Sequence, residues 1–276
     1  MSETAVVESS TGPAPLSWEW LGQRKVVSTL SVVVFFILWE FVPWAGLVDP
    51  ALTSRPSLVF VAAQDVFAND NLGRHIYVSL LEFSWGFSLA VLTGVPFGFL
   101  LGVSKRVRYF IDPPLMALYA TPRLTLLPII TLWLGIGMES KVLVVYIGTF
   151  IPVVINSVAG IRGVDKSLTR LAHSFCATRN DIFFKILLPG SLPAVMLGLR
   201  LGLGRGLLGV IVAEMFVAQE GIGYQIVAYG SSFRVDYLLV YTLLVSFFGY
   251  AATILIRKIE EKLDSWRTSS QWRGGV

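Results

Sequence analysis

Three ionisable residues, Arg123, Arg205 and Glu214, stand inside long apolar stretches of this chain. A charged side chain at the centre of a bilayer costs about 2.5–3.5 kcal/mol even on insertion scales, so each of them needs a role that offsets the cost. An arginine at that depth either meets an anionic solute on a pathway or neutralises a carboxylate of a neighbouring helix. Counting about 1.5 Å per residue from Pro193 puts Arg205 roughly 18 Å into its segment, near the bilayer middle. With 100° per residue, Gly198, Gly206 and Gly209 fall within about 40° of Gly202. They form a groove suited to close helix packing or to a narrow pathway wall, and Arg205 borders it. Glu214 lies about 180° from Arg205, so the two cannot pair along their own helix. For Arg205 two readings stand: a pathway residue, or half of a structural pair, with Glu82 as one candidate partner. Arg123 has the same two readings. Arg200 lies closer to the segment's end and can snorkel to the interface.

The sequence contains no G-x-x-x-x-G-K-[ST] loop and no H-E-x-x-H, so the chain has no route of those kinds to ATP or zinc. His75 and His173 are isolated, and Glu40, Glu82 and Glu214 are scattered along the apolar segments without the look of a proton relay. Nothing here argues for catalysis. The single cysteine, Cys176, excludes an intrachain disulfide.

The elements that must position these residues are membrane helices. Of the 276 residues, 54% are hydrophobic and 14% charged, with mean hydropathy +0.69; soluble domains carry roughly 25% charged residues. Six apolar stretches are long enough to span: residues 26–46, 77–103, 111–134, 142–160, 193–217 and 238–256. The net charge of +4 is no sign of nucleic acid, because the basic residues lie in loops between spans. Only Arg55, Arg74, Lys141 and Arg234 fall on one side; Lys105, Arg106, Arg108, Arg162, Lys166, Arg170, Arg179, Lys185 and others fall on the side shared by both termini. That asymmetry predicts six helices with both termini cytoplasmic. Residues 1–22 read as a disordered cytoplasmic tail without a basic signal-peptide region, and 266–276 as a second cytoplasmic tail around a permease-sized domain, 23–265.

Within the spans, Gly94, Gly98 and Gly102 at four-residue spacing allow close helix approach, inside one subunit or at a dimer seam. Pro122 and Pro128 predict a kinked or broken third span, with Arg123 beside the break. In the long outer segment 47–75, Pro56-Ser57 can start a short interfacial helix carrying Leu58, Val61, Ala62 and Val66.

Residues 165–189 are polar, basic and patterned. Leu168, Leu171, Ala172 and Phe175 recur at i, i+3, i+4 and i+7, a short amphipathic helix that Asp165 can cap. After Ala177-Thr178, Asn180 or Asp181 can cap a second helix through Ile182, Phe183, Ile186 and Leu187, which Pro189 ends. Such a pair suits docking of another protein or, equally, resting on lipid headgroups.

The run C-A-T-R-N-D-I-F-F-K-I-L-L-P-G-S-L-P, then G-L-R-L-G-L-G-R-G-L-L-G-V-I-V-A-E-M and G-I-G-Y, resembles the permease subunit of ABC importers of the nitrate/sulfonate/taurine/bicarbonate type. S-R-P-S, L-L-G-V-S-K-R-V-R-Y-F-I-D-P and T-P-R-L-T-L-L-P-I-I-T-L-W-L-G-I-G extend the likeness upstream. The resemblance implies an all-α, six-helix type I importer permease, homodimeric, in a bacterial inner membrane. It also implies two cytoplasmic ATPase subunits that bind ATP and Mg, while this chain holds no cofactor, and a periplasmic solute-binding protein. The segment 161–192 becomes the coupling loop, with Leu168, Leu171, Ala172, Phe175, Cys176, Ala177, Thr178, Ile182, Phe183, Ile186 and Pro189 as its contact residues. The translocation pathway is assigned to Arg123, Arg205, Gly198, Gly202, Gly206 and Glu214, for a small anion such as a sulfonate, carboxylate or nitrate. Two positions depart from the family loop motif: Arg170 stands for its Glu, and Cys176 for a Gly whose positive φ a Cys adopts only at a cost. The competing class is a stand-alone secondary transporter or channel, which needs no ATPase.

Overall fold

The computed structural model describes residues 18–263. The predicted tails lie largely outside the described residues, except that the first helix, α1, runs Trp18–Trp44 and so takes in the last positions of the expected N-terminal tail. The last proline before it is Pro15, and nothing later obliges the helix to start further on.

Two compact units divide the chain at Phe60. In the first, α1 is followed by the single turn α2, Pro50–Thr53, and the start of α3, Pro56–Asn69. Glu40 ties them together: it accepts hydrogen bonds from the Ser57 backbone N–H (2.9 Å) and hydroxyl (2.7 Å). The α3 helix forms where Pro56-Ser57 predicts, but its buried face is Val59, Ala62 and Val66, while Val61 is exposed.

The second unit is organised on α7, Met138–Gly163, which has half of its apolar window buried. On one side lies α4, Leu72–Val103, and on the other α10, Leu188–Val217. Small residues make both seams. Gly94, Gly98 and Gly102 of α4 face Phe150 and Val153, Val154 and Ser157, and Ile161 of α7, so this stripe serves packing within one chain. Burying such close-packed seams replaces the hydrophobic drive that lipid cannot supply between helices.

Between α4 and α7 the chain runs through α5, Lys105–Ala120, a 3₁₀ turn Arg123–Leu126 and α6, Leu127–Leu134. The expected break is real and falls at Thr121-Pro122, where α5 and the following segment bend by 87°. Pro128 sits in the first turn of α6, where its missing N–H has no helical partner to lose. The C-terminal end is α11, Ile222–Ser231, and α12, Val235–Leu263. Among the described residues five helices are long and apolar enough to cross a membrane, and the bent pair makes a sixth if counted as one span. No strand occurs among the described residues.

Candidate functional site: a docking loop, an arginine cavity and a buried polar cluster

The loop between α7 and α10 begins with α8, Lys166–Ser174. Asp165 caps it as expected, accepting from the Ser167 backbone N–H at 2.8 Å. That bond holds the Asp165 carboxyl below the usual carboxylate range. Leu168, Leu171 and Phe175 are 49%, 56% and 78% exposed, so much of the apolar face of α8 stands open. With Ala172, Ile186 and Pro189 these residues line a groove of about 360 Å³.

The helix ends in a Schellman motif. The Ala177 N–H reaches the Ala172 carbonyl and the Cys176 N–H that of His173, each at 3.0 Å. Cys176 occupies the left-handed position of this motif, φ 53°, where the family pattern has glycine. The second helix, α9, Arg179–Ile182, is capped by Thr178 rather than Asn180 or Asp181. Thr178 Oγ1 accepts from the Asp181 N–H (3.2 Å), and Asp181 accepts from the Thr178 N–H (3.3 Å), a capping box that uses Asp181 as its third member. Ile182 is buried and Phe183 sets its ring edge against Phe99 of α4; these two anchor the loop to its own chain.

Pro189 does not end the second helix. Phe183–Leu187 forms a π turn in which the Leu188 N–H bonds the Phe183 carbonyl. The wider turn takes up the proline ring that would clash with the carbonyl four residues back. The backbone therefore runs helical from Arg179 to Val217, 39 residues.

Arg205 lines a cavity of about 340 Å³ with Pro122, Leu124, Val144, Gly148, Gly204, Leu208 and Gly209. Its Nη2 donates to the Tyr119 hydroxyl at 3.2 Å and its guanidinium lies 5.1 Å from that ring's centre. The cavity backs onto the α5–α6 break. Arg123 contributes backbone to that break; its side chain lies outside the described residues. Arg200 pairs with Glu260 of α12.

Gly198, Gly202 and Gly206 do not line the cavity. A Cβ at Gly198 would sit 2.8 Å from Asn156 Cβ, and one at Gly206 2.6 Å from Thr149 Oγ1. These glycines are buried in the α10–α7 seam, the packing alternative of the two open for the groove. Gly204, with no such neighbour within 4 Å, is the glycine beside Arg205. Glu214 also faces away from the cavity and is fully buried.

Glu214 belongs instead to a polar cluster under the 218–221 connector between α10 and α11. It accepts from Ser79 Oγ at 2.5 Å and from the Gly223 N–H at 2.7 Å. Ser79 in turn accepts from the Ile222 N–H at 2.9 Å, and His75 Nδ1 from the Gly221 N–H at 3.1 Å. The Gln225 side-chain amide lies 2.6 Å from His75 Nε2. Glu82 pairs with Lys141, not with Arg205. Lys141, expected in an outer loop, is a buried residue of α7, because that helix starts a turn earlier than predicted. Thus Glu82 and Glu214, scattered in sequence, converge. The missed signal was His75, Ser79 and Glu82 at i, i+4 and i+7, a polar stripe down an apolar helix.

At the far end of α3, Asp65 accepts from the Tyr237 hydroxyl (2.5 Å) and Asp70 from those of Tyr229 (2.8 Å) and Tyr241 (2.5 Å). The Tyr237 hydrogen bond holds Asp65 below the usual carboxylate range, and burial pushes the Tyr229 hydroxyl up.

Residues 94–265 match the family described as binding-protein-dependent transport system inner membrane component. The chain is 29% identical over 262 residues to the taurine transport system permease protein of Escherichia coli (strain K12), covering 93% of this chain and 95% of that one. It is 31% identical over 236 residues to the putative aliphatic sulfonates transport permease protein of Bacillus subtilis (strain 168), covering 86% of each. Among solved structures, the MetNI methionine ABC transporter in an inward-facing conformation superposes with a TM-score of 0.60 at 18% identity, covering 70% of this chain and 95% of that chain; at that identity the likeness is one of fold.

Proposed function

This chain belongs to the binding-protein-dependent inner membrane components, the permeases of ABC importers, and from that premise we propose how it is assembled and what it carries. Two copies form the translocation pathway in a bacterial cytoplasmic membrane, with both termini on the cytoplasmic side. Each copy docks one ATPase subunit, where ATP and Mg bind, and a periplasmic binding protein delivers the solute. The solute is a small anion of the sulfonate, carboxylate or nitrate kind.

The observation that carries the docking is the uncovered apolar face of α8, with Leu168, Leu171 and Phe175 beside the groove of Ala172, Ile186 and Pro189. An apolar helix face laid into a partner's groove is a recurring recognition mode. The basic-residue asymmetry keeps this loop cytoplasmic. Movement of the docked loops with the closing ATPase pair rocks the spans between inward- and outward-facing states. For the solute, Arg205 supplies a cationic fork at the wall of a mostly apolar cavity, and the similar permeases of Escherichia coli and Bacillus subtilis are named for taurine and aliphatic sulfonates. Arg123 stands at the same break and joins it as a pathway residue. Glu214 and the seam glycines are left out of the pathway.

Co-expression with its P-loop ATPase and purification in detergent tests this reading. The ATPase co-purifies with the parent chain and is lost from Leu171→Asp and Phe175→Asp, both at exposed positions that leave the fold intact. A stable chain that binds no ATPase, and alone moves solute across liposomes, makes it an ion-driven secondary transporter instead.

A further inference from the structure

Glu82, Lys141 and Glu214 meet where α4, α7 and α10 come together, and they are 2%, 6% and 0% exposed. Two carboxylates there face one ammonium. Among the described residues no other group facing the cluster restores the balance. His75 on α4 accepts at Nδ1 from the Gly221 N–H, so the ring is neutral with its proton on Nε2, donated to the Gln225 side-chain amide with that amide's oxygen turned inward. The α10–α11 connector and α11 contribute backbone N–H groups and the Gln225 amide. At the exposed rim Arg74 and Glu220 pair with each other, and Asp70 is taken by two tyrosine hydroxyls.

A second observation is independent of the charge count. Glu82 Oε2 is enclosed and has no hydrogen-bond donor among the described residues, and the Glu82 and Glu214 side chains are neighbours in the same buried cluster. Both Glu214 oxygens already receive a hydrogen bond, from Ser79 and from Gly223. An acceptor buried without a donor is costly, and an unbalanced buried charge more so. One proton removes both faults.

We propose that Glu82 and Glu214 hold a single proton between them as O–H···O⁻, which leaves the cluster with Lys141 electrically neutral and keeps the α10–α11 connector latched to α4. The latch consists of the hydrogen bonds that the N–H groups of Gly221, Ile222 and Gly223 donate to His75 Nδ1, Ser79 Oγ and Glu214, respectively. The carboxyl pair lies beneath it. Lifting the connector admits water, which solvates the carboxylates and takes the proton as hydronium; closing the connector takes a proton back.

Infrared spectroscopy of the full-length chain with its co-purified ATPase in lipid nanodiscs tests the proposal. The parent shows the C=O stretch of a protonated carboxylic acid, shifted in D₂O and constant through neutral pH. The band disappears in Glu214→Gln and in Glu82→Gln, since either variant leaves one carboxylate opposite Lys141 and needs no proton. Glu82→Gln keeps the parent's melting temperature, because its amide N–H takes the place of the donor at the free oxygen, whereas the double variant, with the Lys141 charge unpaired, melts lower. Lys141→Met gains acid-band intensity. A parent spectrum without an acid band overturns the proposal whatever the variants do, and so does a band that survives unchanged in a folded Glu214→Gln.

Discussion

Thr149 Oγ1 on α7 donates a 3.1 Å hydrogen bond to the carbonyl oxygen of Gly202 on α10. A side-chain hydroxyl reaches the backbone of a neighbouring helix only where that helix presents no Cβ in the way. The same constraint recurs at Gly206, whose Cβ would meet Thr149, and at Gly98, whose Cβ would lie 2.8 Å from the Val154 carbonyl oxygen.

Gly206→Ala and Gly98→Ala therefore each destabilise the permease by about 1–3 kcal/mol through overpacking. Gly204→Ala, with open space at its Cβ, has no such effect. Thermal melting in detergent of the three variants checks the contrast, and equal melting of all three removes the seam argument.

Arg205→Ala leaves the fold intact and removes a charge-assisted contact worth about 1.5–3 kcal/mol, or roughly 10- to 100-fold in apparent affinity for an anionic solute. Arg205→Lys falls between, keeping the charge and losing the planar fork. Uptake into proteoliposomes with binding protein and ATP measures this. Unchanged uptake by Arg205→Ala shows that the guanidinium serves Tyr119 and not the solute.

Cys176→Gly relieves the strain of a side chain held at φ 53°, about 1–2 kcal/mol, offset in part by the greater freedom of glycine in the unfolded chain. The expected result is slower amide exchange at the end of α8, and Cys176→Val moves it the other way. Exchange that is equal in all three chains shows the turn to be relaxed as it stands.

Thr178→Ala removes the capping box of α9 and costs about 1 kcal/mol locally, while Thr178→Ser keeps it. Faster exchange of the Asp181 and Ile182 amides in the alanine variant alone is the signature.

The spans were legible because bilayer thickness and apolar length are the same constraint, and the α5–α6 break because Pro122 sits at it. Asp165 announced its cap through residue type alone. The second cap did not announce itself, since Thr178, Asn180 and Asp181 all accept hydrogen bonds and only the backbone geometry decides which one turns inward. Pro189 misled for a related reason: a proline stops a helix of ordinary pitch, and no pattern of side chains marks the wider π turn that admits it. The glycine stripe of α10 offered two uses, and the choice between them depended on α7, whose side chains no count along α10 can place. Glu82, Lys141 and Glu214 lie on three different helices, so their meeting was a tertiary fact without a local trace, apart from the polar stripe on α4.

The unbroken helix from Arg179 to Val217 behaves as a lever. Its seam with α7 runs from Ser191 to Gly209, and Gly202, whose carbonyl accepts from Thr149, lies near the middle of it. At about 1.5 Å per residue, the arm toward the α8–α9 loop is roughly 34 Å long and the arm toward the buried cluster roughly 22 Å. A tilt about that fulcrum moves the Val217 end about two-thirds as far as the Arg179 end, in the opposite direction. A few ångströms of displacement imposed on α9 therefore reach Glu214 as a shift larger than a hydrogen bond can stretch.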